Sequence, residues 1–191
     1  MRLLANIIIV FVIGLMLGGV SAHYSIRQSH GVGAINVGPW SAWPFVGGVE
    51  IDPYTLARGT ANGTLPLGAA EGLAFEAIED SAGRPLNRTC SYTVSGATPP
   101  SRLWTLTAYA QNGKVLSAAN NQLASKHSGN IIRFADGTFT IGLGDMPSSG
   151  NWMPLSGNGS FKIILRLYDT PITSNSGVID PEMPQIKRKQ C

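Results

Sequence analysis

Residues 3–22 form a nearly continuous apolar run of Leu, Ile, Val, Phe, Met, Ala and Gly, interrupted only by Asn6 and Ser21. At about 1.5 Å of helical rise per residue, the run reaches roughly 30 Å, the hydrocarbon thickness of a bilayer. No polar face recurs at helical spacing, which argues against a helix laid on the core of a soluble domain. Two readings remain. The first is an uncleaved single-pass anchor over 1–22. The second is an export signal, with Arg2 as a minimal basic start and Val20-Ser21-Ala22 as a cleavage tripeptide before His23. The run is longer than a usual signal core, so an anchor is the first expectation and cleavage near Ala22 the alternative. A short N-terminus inside, with the bulk of the chain exported, is the simpler topology.

The rest of the chain, about 170 residues, is enough for one domain with a hydrophobic core. Residues 23–37 read as a linker and 38–191 as that domain. Charged residues are only 13% of the sequence, and Gly (23) and Pro (12) are abundant, as in turn-rich β proteins. The formal charge of +3 points weakly to nucleic acid. Setting aside Arg2 and the Lys187-Arg188-Lys189 tail leaves basic and acidic residues nearly balanced, so no nucleic-acid partner is expected. The two cysteines are Cys90 and Cys191. In an oxidising compartment they can pair, pinning the C-terminal segment and closing a loop of about 100 residues. Two independent thiols are the other reading. No Cys or His pair has zinc-ligand spacing, so neither metal nor cofactor is expected.

Along the chain, Asp52-Pro53 starts a short helix, with Asp52 as N-cap, Pro53 at the first helical position and Gly63 as stop. Trp40 and Trp43, set between prolines, suit either a membrane interface or packing at the domain edge. The remainder reads as strands. Residues 73–79 alternate, turn at 80–85 and return over 89–95. Residues 103–110 form a strand ended by Asn112-Gly113, the strongest hairpin signal present, with 115–117 as a short partner. Residues 120–130 are polar and irregular. Residues 131–135 and 138–143 flank a second turn at Asp136-Gly137. In 160–168, Phe161, Ile163, Leu165 and Leu167 take one face, and Lys162 and Arg166 the other. The pattern predicts a mainly β, antiparallel sandwich or jelly-roll-like domain with one short helix, behind a single transmembrane helix.

No catalytic motif stands out. The Gly-x-Ser-x-Gly elbow, a phosphate loop ending in Lys-Ser or Lys-Thr, and a dinucleotide fingerprint are all missing. His127 reads as a surface loop residue. Glu76, Glu79 and Asp80 read as a solvated face rather than an acid/base pair. Binding chemistry is better represented. Arg166 lies in the most apolar strand, where a charge is costly unless paired. Arg58 lies near Tyr54 on the short helix, and Trp104, Tyr109, Trp152 and Tyr168 offer stacking surfaces. Arg58 or Arg166 is thus a candidate to grip a carboxylate or phosphate in an aromatic-walled groove. The competing reading pairs Arg166 internally with Glu50 or Asp169 and puts the aromatics in the core.

From Gly38 onward the chain resembles the bacterial domain-of-unknown-function family 1214. The resemblance rests on Gly38-Pro39-Trp40 with Trp43-Pro44, Asp52-Pro53-Tyr54-Thr55 with Ala57, Cys90-Ser91-Tyr92, and Pro99 to Arg102 leading into Trp104-Thr105-Leu106. Phe134-Ala135-Asp136-Gly137, Asn151-Trp152-Met153-Pro154 and Leu165-Arg166-Leu167-Tyr168 complete it. It implies a jelly-roll-like fold and a bacterial source, but no activity. Many relatives carry a companion domain upstream, where this chain has its apolar segment. The expectation is a ligand- or partner-binding module of the cell envelope, anchored in the inner membrane and facing the periplasm, or free in the periplasm after cleavage. The alternative is an envelope hydrolase with an unfamiliar Arg/carboxylate site.

Overall fold

A computed structural model describes residues 2–27, 34–44, 53, 56–57, 67, 71–117, 122–173 and 181–191. Helix α1 spans Arg2–Arg27. Its segment Arg2–Tyr24 is long and apolar enough to cross a bilayer, a property that membrane anchors and export signals share. Its large side chains face outward, so no protein core accounts for its apolarity. In hydrocarbon, a helix meets its own backbone hydrogen-bonding needs.

Ten strands follow: β1 Ile35–Val37, β2 Trp40–Ala42, β3 Gly72–Ala77, β4 Ser91–Gly96, β5 Leu103–Ala110, β6 Ser125–His127, β7 Phe139–Gly144, β8 Asn151–Pro154, β9 Phe161–Tyr168 and β10 Gln185–Gln190. They form a six-stranded sheet, ordered β1-β2-β3-β9-β5-β6, and a four-stranded sheet, ordered β10-β4-β7-β8. The expected β-sandwich is therefore present. All pairings are antiparallel except β7 with β8, which is parallel and makes the smaller sheet mixed. The stretch expected as a linker supplies β1, which pairs with β2 across Gly38-Pro39.

One core lies between the sheets. The alternation read in β9 holds: Phe161, Ile163, Leu165 and Leu167 are fully buried. Trp104 on β5 meets Phe139 on β7 at 5.1 Å between ring centroids, and Tyr92 on β4 meets Phe161 at 5.6 Å, so aromatic pairs bridge the two sheets. Trp40 joins this core, its indole N–H donating to the Pro184 carbonyl at 2.7 Å. Packing, not a membrane interface, is its role here. Both Gly-centred turns form. Gly113 and Gly137 adopt positive φ (80° and 82°), and their N–H groups donate to the Ala110 and Phe134 carbonyls.

Three strand-level expectations are corrected. Residues 73–79 and 89–95 are not partners: β3 pairs with β2 and β9, whereas β4 pairs with β10 and β7. The return begins as read, with Leu86 N–H donating to the Ile78 carbonyl. Asn87 then bridges Ser160 and carries the chain to the other sheet. Within 120–130, Ser125–His127 forms the edge strand β6, held by pairing to Thr105–Thr107 despite its polar sequence. Residues 131–135 contribute only a bridge at Arg133 to Phe139. Most of the helix expected from Asp52 lies outside the described residues.

Asp80, read as part of a solvated face, is 1% exposed. It accepts hydrogen bonds from the N–H groups of Ala82 and Arg84 and an ion pair from the Arg84 guanidinium at 2.9 Å, with Arg188 of β10 at 3.5 Å. Arg188 also donates to the Pro85 carbonyl and lies 5.6 Å over the Tyr92 ring. Burial pushes the Asp80 carboxyl up, but the backbone N–H groups of Arg84 and Ala82 and the Arg84 guanidinium outweigh it and hold it below its ordinary value. This knot ties the exit of β3 to the last strand. A Cys90–Cys191 disulfide ties the same strand from its far end.

Candidate functional site

The outer face of the four-stranded sheet carries a groove of about 890 Å³. Its floor is built from short side chains. Pairing puts Thr93 opposite Gly142 and Ser95 opposite Thr140, and alternation places Ser91 and Gly144 on the same outward face. With no large residue there, the backbone itself forms the bottom.

Two walls rise beside the floor. Residues 145–150 run back from the end of β7 to start β8 alongside it, and Ser148 settles on the floor at Gly142. A Cβ at Gly142 would meet Ser148 Oγ at 2.3 Å, a contact that turning the Ser148 side chain relieves, so Ser148 rests directly on the sheet there. This return places Met146 on the rim, 79% exposed. The opposite wall comes from 132–134. Buried Asn151 accepts from the Ile132 N–H at 2.7 Å and donates to the carbonyls of Ile132 (2.8 Å) and Thr140 (3.0 Å). That clamp and the Asp136-Gly137 turn hold Ile132 and Phe134 outward, 69% and 61% exposed. Half-buried Trp152 faces out on β8 opposite Gly142, its indole N–H donating to the Gly144 carbonyl at 3.2 Å. Exposed aromatic and aliphatic side chains on a concave surface are a binding feature rather than a folding one.

The residues singled out from the sequence do not form one pocket. Tyr54 and Arg58 lie outside the described residues, as does Glu50. Arg166 and Tyr109 meet on the outer face of the six-stranded sheet, with guanidinium NH1 2.9 Å from the phenol oxygen and Cζ 5.5 Å from the ring centroid. Tyr168 shares that face by alternation, half-buried. Asp169 pairs with Arg102 at 3.2 Å instead of Arg166. Trp104 is buried in the core, with Arg133 5.6 Å over its ring. Trp152 lines the groove on the other sheet. His127 is exposed on β6, its Nδ1 accepting from the Gly129 N–H. Sequence reasoning missed Ile132, Phe134 and Met146, whose only local signal is apolarity between turn residues.

The family of proteins of unknown function DUF1214 matches residues 71–172, more than half of the chain and including every strand from β3 to β9. The chain belongs to this family. Among solved structures it is similar to the VPA0106 protein from Vibrio parahaemolyticus, with 23% identity and a TM-score of 0.58. That match covers 74% of this chain and 36% of the Vibrio protein, so the chain spans about a third of its length. An uncharacterized protein from Burkholderia cenocepacia aligns at 14% identity and a TM-score of 0.38, over 63% of this chain and 29% of that one. No curated protein matches. The Vibrio likeness shows a shared fold.

Proposed function

We propose that this is a membrane-anchored β-sandwich of the bacterial envelope, facing the periplasm, that binds a ligand or partner through the groove on its four-stranded sheet. The observation that carries the reading is the pairing of a short-residue floor with outward Ile132, Phe134 and Met146, held there by Asn151 and by the Ser148 contact at Gly142. Folding alone gives no reason to hold such side chains in water, because each forgoes burial worth about 1.5–3 kcal/mol. The disulfide supports an oxidising compartment. The apolar helix supports attachment to the membrane that bounds it.

A photoreactive p-benzoylphenylalanine in place of Phe134 tests the reading in the full chain, expressed in a bacterial envelope and irradiated there. The expected result is an adduct of one defined mass at position 134, absent when the probe replaces exposed Lys114 in the turn after β5. Equal or no adduct at both positions would remove the groove as a binding site.

A further inference from the structure

The basic run Lys187-Arg188-Lys189 lies within β10, an edge of the four-stranded sheet. Arg188 is engaged by Asp80 and by the Pro85 carbonyl. Lys187 and Lys189 are exposed, and neither forms an ion pair among the described residues. Neither β10 nor its partner β4 contains an acidic residue. Glu182, exposed and three residues before the strand, is the nearest carboxylate along the chain. Two contacts fix where this strand lies. The Trp40 indole of β2 reaches the Pro184 carbonyl, and Ile186 exchanges hydrogen bonds with Ser81 just past the exit of β3. The strand β10 therefore packs over the β1–β2–β3 side of the larger sheet, the side on which the chain arrives from α1.

Chain length limits which side can meet the bilayer. Residues 28–34 join α1 to Ile35, eight Cα steps that reach at most about 29 Å. Five strand spacings of about 4.8 Å put the far edge, β6, roughly 24 Å from β1. With β6 toward the membrane the tether would be taut, whereas with β1 toward it the tether is slack. Resting on α1 as a retained anchor, we infer that the β1–β10 side of the sandwich docks on the bilayer that holds α1, with Lys187 and Lys189 on anionic phospholipid headgroups. An anionic surface attracts basic segments within about a Debye length, and the tether holds this side of the domain close to it. Each ammonium shifts such an equilibrium about fivefold, so the pair shifts docking on the order of twentyfold. The four-stranded sheet then stands on edge, and its groove opens to the aqueous phase beside the membrane.

The test places the full chain in nanodiscs that carry a headgroup-labelled energy acceptor, in phosphatidylcholine alone or with added phosphatidylglycerol. A coumarin amino acid at exposed Gln185 on β10 is the donor, and one at exposed His127 on β6 is the control. In the anionic discs, transfer is expected to be stronger from position 185 than from position 127. Lys187→Gln with Lys189→Gln should lower the ratio of docked to free domain, read from donor lifetimes, on the order of twentyfold. The melting temperature should stay near that of the parent, and discs of phosphatidylcholine alone should lower docking in the same way. An anchored chain with equal transfer from both positions, or stronger transfer from 127, would overturn the inference and leave the anchor standing. Equal docking in neutral and anionic discs would overturn the role of the two lysines. Recovery from bacteria of a chain beginning at His23 would overturn the anchor and the inference together. None of these outcomes touches the groove, which the adduct at position 134 decides.

Discussion

The two outer faces of the sandwich solve the same problem in opposite ways. On the six-stranded sheet, outward polar groups satisfy one another: Lys162 with Glu76 at 3.2 Å, Arg166 with Tyr109, and Thr107 with Ser125 at 2.9 Å. The Lys162 side chain is 7% exposed, so that face is finished chemistry. On the four-stranded sheet, the outward row is short or glycine, Lys187 and Lys189 on the β10 border form no ion pair among the described residues, and large apolar side chains stand in water on the groove walls. A face that pairs with itself contributes to stability, and a face that leaves its groups unmatched is available to something else. The arginine and tyrosines that draw the eye in the sequence sit on the first kind of face, and the groove lies on the second.

If the open face is held in shape from outside its own chemistry, its supports should carry large energies. The disulfide pins β10, the cationic border, by closing a separation of 101 residues. Cys191→Ser is expected to destabilise by up to about 4–5 kcal/mol on chain-entropy grounds, measured as a drop in denaturant midpoint that reductant reproduces in the parent. A variant as stable as the parent would show that β10 is held by its ladder alone. On the closed face, Glu76→Ala strands the buried Lys162 ammonium and should cost about 3 kcal/mol. The double variant Glu76→Ala with Lys162→Met should recover most of that loss. Without recovery, the pair would be incidental to the face's stability.

What the sequence discloses follows the range of the interactions. The β9 alternation, the Asn112-Gly113 and Asp136-Gly137 turns and the apolar helix are written in neighbouring residues, and each appears in the structure. The pairing of Cys90 with Cys191 is legible because the compartment and the count narrow it. Partner choice is not local. Residues 73–95 read as a hairpin, yet Asn87 bridges Ser160 and sends β4 to the other sheet, a decision made 73 residues away. The parallel β7–β8 pair is hidden because nothing local in 145–150 says that the chain runs back to start alongside β7 rather than turning into a hairpin. The groove is hidden for the same reason: its walls come from separate loops and its floor from the absence of side chains.

Asp80 sharpens the comparison from the seam between the sheets, since it joins the exit of β3 to Arg188 on β10. Its carboxyl is held below the ordinary 3.8, so the unfolded chain takes up its proton at a higher pH than the folded one. Its contribution is therefore complete above about pH 4 and fades as pH falls through the lower folded value. Asp80→Asn should cost about 2 kcal/mol at neutral pH, the value of hydrogen bonds to a charged group. It should also flatten the acid limb of the stability curve. An unchanged acid limb would place the acid sensitivity elsewhere.

The smallest expected change in stability falls on the groove wall, and it separates the two faces most directly. Phe134 is 61% exposed and its ring is held out by backbone contacts at Ile132, Thr138 and Asn151, so Phe134→Ser removes little buried area. Its effect on unfolding should stay within about 0.5 kcal/mol, whereas Phe139→Ala, five residues on and fully inside, should cost about 3–5 kcal/mol. The ratio should reverse in binding: with the photoreactive residue placed at Ile132 instead, Phe134→Ser should lower the envelope adduct at least roughly tenfold. A large destabilisation by Phe134→Ser would mean that the ring completes the fold, and the wall would then belong with the closed face rather than the open one.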